Sequence, residues 1–147
     1  MTANTPITFS FQQETRIPNN RALKAFIPTI FKKEKKRLSL LSYVFCSDPY
    51  LLEINKKYLG HDTYTDIITF GLNTPPDPVE AEIYISVDRV NENARTFKTS
   101  KTLELRRVIF HGALHLCGYS DKTKGQKQKM RGREDHYLKM FHVKIGR

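Results

Sequence analysis

Two histidines and an aspartate in the last third of the chain have the spacing of metal ligands. His111 and His115 are four residues apart in an apolar segment, so on a helix both imidazoles lie on one face. Gly118 can end that helix in a left-handed conformation, and the following turn can bring Asp121 back over the same face. Two histidines and one carboxylate suit zinc, and iron or manganese also accept this ligand set. Histidines that merely pack on a buried helix are the alternative, and the spacing leaves both readings open.

The residues around this pair exclude one class of metalloenzyme. A zincin protease has a glutamate directly after the first histidine as general base, whereas position 112 is glycine, which cannot transfer a proton. Cys117 lies beside the candidate site, but the role of a small buried hydrophobic residue is enough to explain it. We therefore assign no catalytic role to this cysteine.

The same run of residues resembles the signature of the YbeY-type endoribonucleases, which are ribosomal RNA maturation factors. That signature is His-Gly-x-Leu-His-Leu-x-Gly-Tyr-Asp-His, followed by a methionine and a glutamate. Upstream, the family has the blocks Asn-x-x-Tyr, Thr-Asp-Val-Leu-Ser-Phe and Gly-Asp-Ile. The resemblance extends over about residues 50–138, and the matching positions are His111, Gly112, Leu114, His115, Leu116, Gly118, Tyr119, Met130, Glu134 and residues 55–58, 65–70 and 81–83.

The resemblance implies a single-strand-specific, metal-dependent endoribonuclease. Such an enzyme acts in ribosomal RNA maturation, notably at the 3′ end of the small-subunit RNA, and in ribosome quality control. The implied metal ligands are His111, His115 and Asp121, and the two histidines are also the expected catalytic residues. The expected cofactor is one divalent ion, Zn²⁺ first, with iron or manganese as alternatives. The expected partners are single-stranded ribosomal RNA and the ribosome or its small subunit, with no membrane partner.

Two positions depart from the family pattern. Asp121 stands where the family has its third histidine ligand, so the site has a harder ligand and one more negative charge. Leu59 stands where the family has a catalytically important arginine after the tyrosine of Asn-x-x-Tyr. The positive charge for the phosphate must then come from elsewhere, and the candidates are Arg106, Arg107 and His61.

The missing arginine supports a second hypothesis, a basic RNA-binding assembly factor with a structural metal and little or no cleavage. A metal-dependent hydrolase of some other substrate is a third. Two acidic residues also have open roles. Glu134 either holds a ligand histidine or serves on the helix surface, and Asp66, just before a strand, is expected to cap a turn through its own backbone.

The distribution of charge favours a polyanionic partner. The net charge is +10, and residues 98–147 carry 13 basic and 4 acidic side chains, or +9 of it. A one-sided basic surface attracts nucleic acid, with a solvated face that only aids solubility as the alternative. Within this third of the chain, Arg106 and Arg107 are predicted to bind RNA.

The patterning predicts an α+β fold in which a small four-stranded sheet is covered by about five helices. Alternating or apolar runs predict strands, and apolar residues at helical spacing predict helices. The metal site then lies on the fourth helix and the turn after it. The predicted strands are residues 7–13, 38–46, 66–70 and 82–87, and the predicted helices begin near 19–20 and 47–48 and span 88–98, 103–116 and 126–141.

Length and composition place the chain in an ordinary class. The 147 residues suit a single domain, 1–147, and 39% hydrophobic residues allow a real core. There is no apolar run of about 18 residues that could span a membrane. The polar residues 1–10 lack the features of a secretory signal, and two cysteines are too few for a disulfide scaffold. A cytoplasmic location is the expectation.

Overall fold

Four strands and five α-helices make up residues 6–146, the part of the chain that the computed structural model describes. Residues 1–5, part of the stretch from which we infer no secretory signal, lie outside it. The α+β prediction is confirmed. In chain order the elements are β1 (Ile7–Phe11), α1 (Asn20–Lys33), β2 (Leu38–Cys46), α2 (Asp48–Ile54), β3 (Ile67–Gly71), β4 (Val79–Ser86), α3 (Val87–Thr96), α4 (Lys101–Leu116) and α5 (Lys124–Lys144).

The sheet is mixed, with the strand order β1-β2-β4-β3. The pairs β1–β2 and β2–β4 are parallel, with Tyr43 opposite Ile83, whereas β3 returns antiparallel to β4. Parallel neighbours need a crossover, and α1 provides it between β1 and β2. The antiparallel edge strand β3 is the one that lies closest to the candidate site.

Helix α4 lies across the sheet and contributes most to the main core. Its buried residues Ile109, Phe110 and Leu114 join Ile83 and Ile85 of β4 in the principal cluster. On the opposite face of the sheet, α2 covers a smaller cluster that includes Cys46, Leu51, Ile54 and Ile68. The alternation of side chains along β3 and β4 therefore supplies two cores, and only the first supports the histidine-bearing helix.

A glycine sets the distance between α4 and the sheet. A Cβ on Gly112 would lie 2.8 Å from Cδ1 of Ile83 and 2.9 Å from Cδ1 of Ile67. No side chain fits there without displacing the isoleucine side chains, so α4 approaches β3 and β4 closely only with glycine at this position. The glycine that excluded a zincin thus has a packing role.

Element ends differ from the predictions where capping or ladder geometry decides. Strand β1 ends at Phe11 rather than residue 13, because the backbone amides of Gln12 and Gln13 both donate to the carbonyl of Phe45 and the ladder stops. Helix α5 starts at Lys124 because Thr123 and Gln126 form a capping box.

Helix α2 runs on into a π-helical turn, Asn55–Leu59, which ends at Gly60 in the left-handed region. Within residues 6–146, no helix is both long and apolar enough to cross a membrane.

Candidate active site

The C-terminal end of α4 turns the chain back as the glycine signal predicts. Gly118 has φ +110°, its amide donates to the carbonyl of His115, and the amide of Tyr119 donates to that of Leu114. This pair of bonds is a Schellman motif, which satisfies the last carbonyls of the helix. The following residues then fold back along α4, and Asp121 reaches His111.

His111 lies between two carboxylates. Its Nδ1 is 2.7 Å from Oε2 of Glu134, and its Nε2 is 3.3 Å from Oδ2 of Asp121. An ionised carboxylate only accepts hydrogen bonds, so Nδ1 carries the proton donated to Glu134. Burial lowers the pKa of His111, but the hydrogen bond and the charges of Glu134, Asp121 and Asp66 outweigh it, and the pKa is raised.

This arrangement fits a divalent cation between His111 and Asp121. With the proton on Nδ1, the neutral ring directs the Nε2 lone pair at a carboxylate, and two acceptors repel unless a proton or a metal ion lies between them. Two ligands of one tetrahedral zinc, each at about 2.0–2.2 Å, are roughly 3.3–3.6 Å apart. The distance of 3.3 Å between Nε2 and Oδ2 lies within that range and is long for a hydrogen bond.

The third expected ligand is less closely placed. His115 is exposed and lines the same cleft one helical turn beyond His111. Across residues 6–146, no three His, Cys, Asp or Glu side chains already converge as a metal site. The structure thus brings His111 and Asp121 together and leaves His115 beside them, and the assignment of all three as ligands stays a prediction.

Glu134 connects His111 to Arg107, which lies one helical turn earlier in α4. Its side chain is only 6% exposed and comes from α5. Besides His111 it accepts a hydrogen bond of 3.0 Å from Arg107, whose other nitrogen lies 2.8 Å from the exposed Asp135. Of the two roles left open by the sequence, the structure favours the one in which Glu134 holds the histidine.

The cleft around His111 has a volume of about 460 Å³. It is formed mainly by α3, α4, α5 and the start of β3. Helix α5 contributes two cations one turn apart, Lys127 and Arg131, and both are exposed. Within residues 6–146, neither side chain forms a hydrogen bond or an ion pair. The lining residues are Thr65, Asp66, Ile67, Thr69, Asn93, Phe97, Glu104, Arg107, Val108, His111, His115, Asp121, Lys127, Met130, Arg131 and Glu134.

Two further carboxyl groups lie in this cleft. Asp66 accepts a hydrogen bond of 3.3 Å from the amide of Asn93 and interacts with its own backbone, as the turn-capping prediction requires. Glu104 is 5% exposed and sits two helical turns before His111 on the same face of α4. Burial is the main cause that raises the pKa of each carboxyl.

The two arginines predicted to bind RNA have different surroundings. Arg107 lines the cleft, but its guanidinium is engaged by Glu134 and Asp135. Arg106 is buried outside the cleft, where it donates to Asn19 at 3.2 Å and lies over the ring of Phe141. Both stay predictions as RNA contacts, and only Arg107 is placed at the cleft.

Sequence reasoning missed four cleft residues as site candidates: Asp66, Glu104, Lys127 and Arg131. A signal existed for Glu104, because it precedes His111 by seven residues and therefore shares its helical face. Lys127 and Arg131 are similarly four apart on one face of α5. Only the packing of α5 against α4 shows that these faces meet. Leu59, by contrast, does not line the cleft.

Comparison with known proteins gives a consistent result. Residues 8–142 match the family model described as Endoribonuclease YbeY. The chain is 43% identical over 138 residues to the Endoribonuclease YbeY of Flavobacterium psychrophilum, covering 94% of this chain and 98% of that protein. It is also 43% identical over 134 residues to that of Cytophaga hutchinsonii, covering 90% and 94% of the two chains.

A solved structure supports the same relationship. The solution structure of a Thermotoga maritima protein superposes with a TM-score of 0.66 at 26% identity, covering 95% of this chain and 91% of that one. Fold, cleft and sequence therefore agree with the resemblance seen in the histidine motif. The chain belongs to the YbeY endoribonuclease family.

Proposed function

We propose that this protein is a metal-dependent endoribonuclease that cleaves single-stranded ribosomal RNA in the cytoplasm. Membership of the YbeY endoribonuclease family gives the reaction, hydrolysis of an internal RNA phosphodiester. The metal, the strand preference, the ribosomal substrate and the location are the proposal. The observation that carries it is the pair of contacts at His111, with Nδ1 held by Glu134 at 2.7 Å and Nε2 facing Asp121 at 3.3 Å.

His111, His115 and Asp121 would hold the ion, with Zn²⁺ as the first expectation. A bound divalent ion polarises a phosphoryl oxygen or lowers the pKa of a bound water. Glu134 fixes the tautomer of His111 by accepting its Nδ1 proton, so that Nε2 is free as a ligand. The carboxylate ligand keeps iron and manganese as alternatives, because both accept oxygen donors readily.

The phosphate backbone needs positive charge that is not already neutralised. Arg107 is engaged by two carboxylates, so it orients Glu134 rather than offering a free charge. Lys127 and Arg131 line the same cleft from α5 and are exposed. We therefore assign them the attraction of the RNA backbone, in place of the charge absent at Leu59. The proposed ribosomal partner is the small subunit, whose RNA is the substrate implied by the family.

A second function, RNA binding with a structural metal and little cleavage, is favoured by one observation. Leu59 replaces the expected arginine and lies outside the cleft. Cleavage assays separate the two. The full chain is loaded with Zn²⁺ and incubated with a single-stranded RNA and with the same sequence in a duplex, each with and without chelator. Cleavage of the single strand alone, abolished by chelator, supports the nuclease, and binding without cleavage supports the second function.

Metal analysis tests the ligand set. Asp121→Ala should lose bound zinc, whereas Asp77→Ala in the exposed β3–β4 loop should retain it. Full retention of zinc by Asp121→Ala would remove Asp121 from the site.

Salt dependence tests the role of the cations. RNA affinity should fall steeply between about 50 and 200 mM salt, and Lys127→Ala should reduce the slope of log affinity against log salt concentration by about one unit.

A further inference from the structure

The end of the cleft away from His115 is built by two short stretches of helix. Asn93 and Phe97 are four residues apart at the end of α3, and Glu104 and Val108 are four apart at the start of α4. Each pair shares one helical face, and all four side chains line the cleft. This end therefore combines an amide, an aromatic ring, an aliphatic side chain and a carboxylate.

The carboxylate of Glu104 has no partner in the described part of the chain. The residue is 5% exposed, yet its side chain accepts no hydrogen bond and forms no ion pair there. The attractive charges acting on it are those of Arg107 and Arg131, at longer range. The side-chain atoms that are fully buried without a partner do not include the Glu104 oxygens, so these oxygens are accessible in the cleft and can accept hydrogen bonds from a ligand.

Phe97 presents an aromatic ring at the same end. It caps the C-terminus of α3 and is 57% exposed, although it is a large hydrophobic residue. An exposed ring beside an unpartnered carboxylate matches a flat ligand that has N–H donors along one edge. An unpaired nucleobase is such a ligand, because its face stacks on an aromatic ring while its edge is read by hydrogen bonds.

We propose that this end of the cleft binds an unpaired guanine of the RNA chain, stacked on Phe97, with Glu104 accepting its N1–H and N2–H₂ protons. Guanine is the one common base with two adjacent donors on its Watson–Crick edge, and these match the two oxygens of a carboxylate. Adenine, cytosine and uracil each place an acceptor beside their donor there. Pairing with cytosine occupies the guanine donors, so recognition also requires a single strand.

The spacing along α4 fits the proposed guanine site, and that site rests on the function proposed for the same cleft. Glu104 and His111 are seven residues apart on one face, or about 10 Å along the helix. That is about the reach of one nucleotide from its base to a neighbouring phosphate. The base pocket and the histidines can then engage adjacent parts of one RNA chain.

Mapping the cleavage sites in a randomised single-stranded RNA tests the proposal. Wild-type protein should cut with guanine enriched at one position beside the cut. Glu104→Gln, which replaces one acceptor oxygen by a donor, should reduce that preference about 10-fold to 100-fold. Glu53→Gln, at an exposed position of α2, is the matched control and should keep the preference. Equal use of all four bases by wild type, or an unchanged preference in Glu104→Gln, overturns the proposal.

A binding measurement keeps the test independent of catalysis. Guanosine 5′-monophosphate should bind the full chain about tenfold more tightly than the adenosine, cytidine and uridine monophosphates, followed by NMR titration. Glu104→Gln should abolish this selectivity, and Phe97→Ala should weaken all four nucleotides similarly. Equal affinities overturn the guanine site even if RNA is cleaved. Guanine selectivity without RNA cleavage overturns the proposed activity and leaves the site in place.

Circular dichroism of each variant establishes that it is folded. If Glu104→Gln fails to fold, inosine replaces guanosine in the RNA and in the monophosphate, because inosine lacks only the N2 amino group. A loss of cleavage preference and of affinity with inosine supports the contact, and identical behaviour of inosine and guanosine overturns it.

Discussion

The contact between Glu134 and His111 should control metal affinity. Glu134→Gln is nearly isosteric but removes the charge of a carboxylate that is 6% exposed and accepts bonds from His111 and Arg107. One amide oxygen cannot serve both donors as well as two carboxylate oxygens do. Loss of a partner that orients a ligand histidine typically lowers metal affinity about 10-fold to 100-fold, or about 1.4–2.7 kcal/mol.

The measurement is a zinc titration against a chromophoric chelator, on the metal-free full chain. The matched control is Asp135→Asn, the same chemical change at the neighbouring residue. Asp135 is 59% exposed and contacts Arg107 but not His111, so its replacement should change zinc affinity less than about twofold. Denaturant unfolding of the metal-free proteins should show Glu134→Gln less stable by about 1.5–3 kcal/mol, because it weakens charged hydrogen bonds in a buried position.

The pH dependence has a definite sign. Burial lowers the pKa of His111, but Glu134 and the other carboxylates raise it above the usual value overall. Protons compete with the metal for Nε2, so wild-type zinc affinity should fall as the pH drops through that raised pKa. Glu134→Gln removes the strongest raising interaction, so its affinity should fall only at lower pH. The ratio of the two affinities should therefore shrink between about pH 8 and about pH 6.

Equal zinc affinities for wild type and Glu134→Gln at neutral pH would refute this reasoning. An effect of Asp135→Asn as large as that of Glu134→Gln would also refute it, because the loss would then come from the general field of the carboxylates. A ratio that grows on acidification would contradict the assigned direction of the His111 shift.

Three other substitutions, with one control, test the fold that supports the site. Gly112→Ala should cost about 1–3 kcal/mol in denaturant unfolding, because its Cβ would lie 2.8 Å from Cδ1 of Ile83. Gly118→Ala should cost about 1–3 kcal/mol, because φ is +110° there. Gly132→Ala, in α5 with nothing within 4 Å of its Cβ, is the control for both and should be stabilising by about 0.5–1 kcal/mol. For Glu34, burial raises the pKa but hydrogen bonds from three donors outweigh it, and the pKa is lowered. Its stabilisation is lost as the pH falls through the lowered pKa, so Glu34→Gln should lose less stability than wild type between about pH 5 and about pH 3.

Local patterns in the sequence predicted the helices and strands, and they predicted the part of the site that lies on α4 and the turn after it. Hydrophobic periodicity placed all four strands and five helices, with errors of a few residues at their ends. The spacing of His111 and His115 with Gly118 gave a helix, its end and a returning turn, because these depend on neighbours in the chain. Family resemblance then pointed to Glu134, and the structure shows what it contacts.

Other features depended on distant parts of the chain. Arg106 and Arg107 are adjacent and chemically identical, yet one is buried against Phe141 and the other lies in the cleft. Adjacent residues of a helix point about 100° apart, so the two side chains leave α4 in different directions. Only the packing of α4 decides which of these directions faces the cleft and which faces the core. From the sequence alone, both arginines were predicted to bind RNA.

One physical cause separates the features that the sequence determined from those that the tertiary structure decided. Spacing within an element is set by the covalent chain and the helical or strand repeat, so the sequence alone determined that His111 and His115 share a face and that the helix ends just before Gly118. The approach of α5 to α4, with Glu134 against His111 and two exposed cations over the cleft, depends on how buried surfaces fit together. Only the tertiary structure decided that, because packing joins residues whose separation in the chain carries no geometric information.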